Sequence, residues 1–87
     1  MHRDELHPRV RALALEVKDM AVGRDGLEPP EPAPVGLDFM DGFTRFQFGV
    51  YLEEEFDVLL VERVNRLSGG STEDVAGIVA DALSERS

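Results

Sequence analysis

Residues 23–36 read GRDGLEPPEPAPVG, with prolines at 29, 30, 32 and 34. Proline fixes φ and has no backbone N–H, so neither a helix interior nor a central strand survives across this stretch. It splits the chain into an N-terminal part with room for one helix and a C-terminal part, residues 37–87, that must supply the rest. A connection of about 12–15 residues or more in so small a protein has to be pinned by its own apolar residues or put to use. Leu27, Val35, Leu37 and Phe39 are the expected pins.

Before the proline segment, Leu6, Val10, Leu13, Val17 and Met20 recur at spacings of four, three, four and three. That pattern predicts one amphipathic helix over about residues 4–22, ending near Gly23; two heptads are too few for the ~3–4 of a coiled coil. After the segment, Asp41 is placed to cap a second helix, 42–56, which stops at Asp57. At about 100° per residue its apolar side chains form two stripes: Phe48, Leu52 and Phe56 on one face, and Phe43, Phe46 and Val50 nearly opposite. Only one stripe can face a core. Leu60, Val61, Val64 and Leu67 predict a short third helix, 60–67, stopped by Ser68-Gly69-Gly70. Ser71 or Thr72 caps the fourth, 72–84, where Val75, Ile78, Val79, Ala82 and Leu83 follow the helical template and Glu73 and Asp74 suit the positive end of the dipole. The expected fold is all-α: one domain over 1–87, a small four-helix bundle with a long first loop and a short third helix.

Charge and composition narrow the function. Eighteen acids against nine Lys and Arg give a net charge of −9, which opposes binding to phosphate backbones, so nucleic acid is not an expected partner. There is no cysteine, hence no disulfide, thiolate metal site or side-chain thiol for acyl transfer. No run approaches the ~18 apolar residues of a membrane span, and MHRDELHPRV is too polar for a signal peptide, which points to the cytoplasm. Nucleophile-elbow, phosphate-loop, zinc-protease and dinucleotide motifs are missing, so catalysis is not expected. His2 and His7, five apart, do not share a helix face and read as a solvated terminus rather than metal ligands. Glu53-Glu54-Glu55 reads as a solvated face, or as a patch that steers a basic partner.

The run Asp41-Gly42-Phe43-Thr44-Arg45-Phe46-Gln47-Phe48, then Leu52-Glu53-Glu54-Glu55-Phe56-Asp57-Val58, resembles the acyl carrier protein family, including its D-alanyl carrier branch. In that family D-S-L or D-S-F opens the second helix and a segment like L-E-E-E-F-D-I closes it at this distance. The resemblance implies a four-helix bundle whose motif serine carries 4′-phosphopantetheine through a phosphodiester. Here that position is Gly42, which has no hydroxyl to bond. A shifted register through Gly36-Leu37-Asp38-Phe39-Met40 puts Phe39 there instead, again without a hydroxyl. Thr44 points about 200° around the helix, and Ser68, Ser71 and Thr72 lie beyond the third helix. No cofactor is therefore expected, although the family carries one.

The resemblance also gives the outer stripe a meaning. In carrier proteins the residues matching Phe43, Phe46 and Val50 form an apolar patch that partner enzymes contact, and Asp41, Glu53 and Glu54 complete the docking set. The family's frequent acids are missing at Thr44 and Gln47, and Arg63 and Arg66 reverse the usual sign of the third helix. The resemblance thus implies a carrier-like module of an acyl-assembly pathway, for fatty acids, polyketides or peptide natural products, that docks to a biosynthetic enzyme without carrying the arm. The alternative is an ordinary acyl or aminoacyl carrier whose serine has been replaced by Gly42. A third class, a ligand-binding bundle with Phe39, Phe48 and Phe56 around an interior pocket, competes with plain core packing. A monomer is expected, with a homodimer through the outer stripe as the alternative.

Overall fold

The computed structural model describes residues 3–22, 33–67 and 69–86. It contains α1 (Arg3–Val22), α2 (Gly42–Phe56), α3 (Val61–Asn65) and α4 (Thr72–Arg86). The fold is the all-α four-helix arrangement expected, and among the described residues the only strand-like feature is one antiparallel bridge between Gly36 and Ser71. His2, Gly23, Leu27 and Ser68 lie outside the described residues.

In α1, Leu6, Val10 and Val17 are fully buried as their spacing predicts, and so is Ala14. Because the buried face turns toward Ala14, Met20 falls at its edge and is 53% exposed, which corrects its assignment to the core. The Tyr51 hydroxyl lies 3.7 Å from the Met20 sulfur there.

Helix α2 keeps the predicted bounds. Asp41 has extended backbone (φ −82°, ψ −174°) and its Oδ1 accepts the Thr44 N–H at 2.8 Å, a side-chain N-cap. The helix ends at Asp57 in the left-handed region (φ 56°, ψ 43°), with the Asp57 N–H donated to the Glu53 carbonyl. Phe48 and Leu52 are fully buried and Phe56 nearly so, in one core with α1 and α4 residues; Phe39 packs against that core. Phe48 and Phe56 are thus part of the packed core, with Phe39 against its side. Gly49 lets α2 lie close against α3: a Cβ there would stand 2.9 Å from the Val61 Cα.

The third helix is shorter than 60–67. Leu60 (φ −131°) stands before it, and the Arg66 and Leu67 N–H groups turn back to the carbonyls three residues earlier, closing it after one turn. The fourth runs two residues past 84, and Arg86 donates to the Asp57 carbonyl at 2.6 Å, tying its end to the close of α2.

Segment 33–37 is strapped across the starts of α1 and α4. Val35 and Leu37 are buried, as predicted. Arg11, itself buried, donates its Nε–H to the Ala33 carbonyl at 2.8 Å. Leu37 N–H donates to Gly70 O, and Thr72 N–H to Val35 O. The Thr72 hydroxyl is fully buried, accepts the Val35 N–H at 2.9 Å and pairs with His7 Nε2 at 2.8 Å. Thr72 is thus a strap anchor, while Ser71 holds the cap position, its N–H donated to Asp74 Oδ2 at 2.9 Å. His7 belongs to the same knot, which corrects its reading as part of a solvated terminus. Gly69 and Gly70, at φ 87° and 96°, make the turn into α4 that L residues strain to adopt.

Candidate functional site

The outer face of α2 opposes its buried stripe. Phe43 is 70% exposed, Phe46 50%, and Val50 is half-buried; by helix geometry the three lie within about 60° of one another. Beside them, Leu59 is 85% exposed at the step between α2 and α3. An open groove of about 670 Å³ lies beside α2 and α3, with Phe46, Leu59 and Val61 lining it together with Glu53, Arg63 and Arg66. Sequence reasoning missed Leu59. The signal was the doublet Leu59-Leu60 just ahead of a short helix: consecutive side chains diverge, and Leu60 is the one that enters the core.

Gly42, the first residue of α2, is exposed, and nothing lies within 4 Å of where its Cβ would stand. A larger side chain has room there, but the residue present offers no atom for a phosphodiester. The nearby hydroxyls do not substitute. Thr44 is buried against the core side of α2, Thr72 is buried and engaged with His7 and Val35, and Ser71 Oγ lies 3.4 Å from Asp74 Oδ2. Phe39, in the shifted register, sits under Lys18, whose Nζ is 5.9 Å from the ring centroid. Covalently held phosphopantetheine does not fit these residues.

The three glutamates do three different things. Glu53 turns inward, its Oε2 accepting the N–H groups of Leu60 at 2.8 Å and Val61 at 2.9 Å, so it caps α3 from outside that helix. Glu54 is exposed, and Glu55 stands 4.0 Å from Arg9 across to α1. The run is therefore neither uniformly solvated nor uniformly offered to a partner. The basic residues in and just after α3 are matched within the fold as well: Arg63 reaches Glu85 on α4 at 2.7 Å, and Arg66 pairs with Glu62 at 2.9 Å. The hydrogen bond and charge of Arg63 hold the Glu85 carboxyl below the usual range, and Glu85 in turn raises the guanidinium.

Asp41 is exposed, and the Thr44 backbone N–H, followed by the Thr44 hydroxyl, holds its carboxyl below the ordinary 3.8. A carboxyl depressed on folding contributes stability above its unfolded pKa and loses it as pH falls through the folded value. Asp41→Asn keeps an acceptor but cannot ionise. The wild-type advantage over Asp41→Asn in urea midpoint should be full above the unfolded carboxyl's ordinary 3.8 and should shrink as pH falls below it. An advantage unchanged by acid would show that the charge does not contribute through the cap.

Among the described residues no helix is long and apolar enough to cross a membrane, and no group of three His, Asp or Glu side chains is placed to hold a metal ion. Compared with protein-family models, with curated proteins and with solved structures, the chain matches none of them.

Proposed function

We propose that this chain is an acyl-carrier-like docking module that engages an enzyme of an acyl-assembly pathway through the outer face of α2, without carrying a prosthetic arm. The observation that carries the reading is the pair Phe43 and Phe46, held outward on a well-capped helix whose opposite face fills the core. Large aromatic area left in water at the start of α2, directly after the position where the resembled family bears its arm, favours recognition over packing. Burying two such rings contributes several kcal/mol at roughly 25 cal/mol per Å² of apolar area, before association costs. The open space at Gly42 favours the second reading, an ordinary carrier whose serine has been replaced, because the local backbone accommodates a serine.

Affinity capture from the native host, with wild type and with Phe46→Glu, tests the proposal. The wild type should retain an acyl-assembly enzyme that the variant releases, while both melt at similar temperature. Retention of the same enzyme by both moves the interface elsewhere. Recovery of the native chain with a pantetheine covalently attached ends the reading outright.

A further inference from the structure

The outer face of α2 has ends of unlike charge. Glu54 stands exposed at its C-terminal end, where the aligned peptide dipoles add negative potential, while Glu53 beside it is committed to the Leu60 and Val61 N–H groups. The other end has the positive pole of the dipole and Lys18, whose ammonium lies over Phe39 just ahead of the helix. Asp41, at that same end, is committed to the Thr44 N–H. Between the ends, Phe43, Phe46, Gln47, Val50 and Glu54 fall within an arc of about 100°, at the three-and-four spacing of a helix–helix seam.

We propose that a second copy of this chain covers this face, with the two α2 helices antiparallel about a two-fold axis. Centred between Phe46 and Gln47, the pairing sets Phe43 against Val50 of the second copy. It also brings Glu54 to the level of position 39, beside Lys18 of the second copy. The dipoles oppose one another favourably, and a single surface serves both sides, as an isologous contact requires. The proposal rests on the docking reading for the face alone, and it makes the unengaged module self-masking: an enzyme binds the monomer.

The area is of the right size. Phe43, Phe46 and Leu59, which flanks the seam on the Phe46 side, expose on the order of 400 Å² together. A standard interface removes ~800 Å² from each partner, about 56–65% of it apolar. These three residues supply most of that apolar centre. The net charge of −9 on each chain opposes pairing at long range, and salt screens it: the Debye length falls from about 10 Å at 0.1 M to about 3 Å at 1 M. Self-association should therefore strengthen as salt rises.

Sedimentation equilibrium of the full chain at about 5–500 μM in about 0.5 M NaCl tests this directly, on a range that brackets weak dimers. A monomer–dimer equilibrium is expected, weakened roughly 30-fold or more by Phe46→Glu, since truncating a central aromatic anchor has effects of that size. At about 0.1 M NaCl, where an exposed ion pair is less screened, Glu54→Lys should weaken it and Lys18→Glu in the same chain should restore it. All three side chains lie outside the core, and thermal melts confirm that the variants fold. A monomer throughout the range overturns the proposal, as does a dimer that Phe46→Glu leaves intact. A monomer that still captures an enzyme through Phe46 leaves the docking reading standing; a dimer that captures none removes that reading and leaves this one.

Discussion

Glu53→Ala is expected to destabilise the protein by about 3 kcal/mol, because it removes two hydrogen bonds to a charged acceptor and strands their donors. Leu60 and Val61 open α3 with no other side-chain cap, and the single carboxylate oxygen of Glu53 receives both of their N–H groups. For a domain of this size the change lowers Tm by roughly 12–24 °C. Glu53→Gln keeps the reach and loses only the charge, so it should fall in between. Glu54→Ala, one residue on and exposed, should stay within about 0.5 kcal/mol and relieves some repulsion at the helix C-terminus. Equal effects from Glu53→Ala and Glu54→Ala in chemical denaturation would mean that the capping bonds contribute nothing. The contrast also bears on function, since Leu59 and the α2–α3 groove depend on where α3 begins. Faster amide exchange confined to residues 60–65 in Glu53→Ala would show the groove loosening before the rest of the bundle.

Much of the fold was legible because it rests on local rules. The Asp41 cap, the buried stripe Phe48–Leu52–Phe56 and the outward Phe43 and Phe46 all come from helical periodicity within α2, which needs no knowledge of its neighbours. What the sequence did not reveal depends on which element packs where. Glu53 reads like its neighbours until the α2–α3 turn brings two backbone N–H groups under it. His7 and Thr72 are 65 residues apart, and only the docking of α1 beside the start of α4 unites them on one buried hydroxyl. Arg11 looks like a surface cation in a helix until the strap's Ala33 carbonyl is laid across it. Met20 satisfied the spacing and still faced water, because Ala14, too small to mark a stripe in the sequence, lies at the centre of the buried face. Gly49 carried no signal at all; its importance is the 2.9 Å that a Cβ would leave to the Val61 backbone.

On the proposed carrier-like reading, the candidate site turns on one position, and Gly42→Ser should convert the protein from inert to loadable. Incubated with a phosphopantetheinyl transferase and coenzyme A, the wild type should show no mass change and the variant should gain one phosphopantetheine. The difference is all-or-none because the linkage is a phosphodiester: without a hydroxyl there is no oxygen to form it, whatever surface surrounds it. Misfolding does not confound the test. The added Cβ meets nothing within 4 Å, the residue opens a helix, and glycine is the poorer helix former there by a few tenths of a kcal/mol, so the variant should be at least as stable. Thr44 cannot stand in for the missing serine, being buried on the opposite side of α2, so any loading of Gly42→Ser reports on position 42. A variant that stays unloaded while folded removes the carrier-like reading of the surrounding surface, and capture through Phe46 would then stand as a docking property of a helical bundle with no carrier ancestry to explain it. A wild type that loads at any residue reverses the conclusion instead, because the chain would then have a working attachment site that its geometry gives no hydroxyl to form.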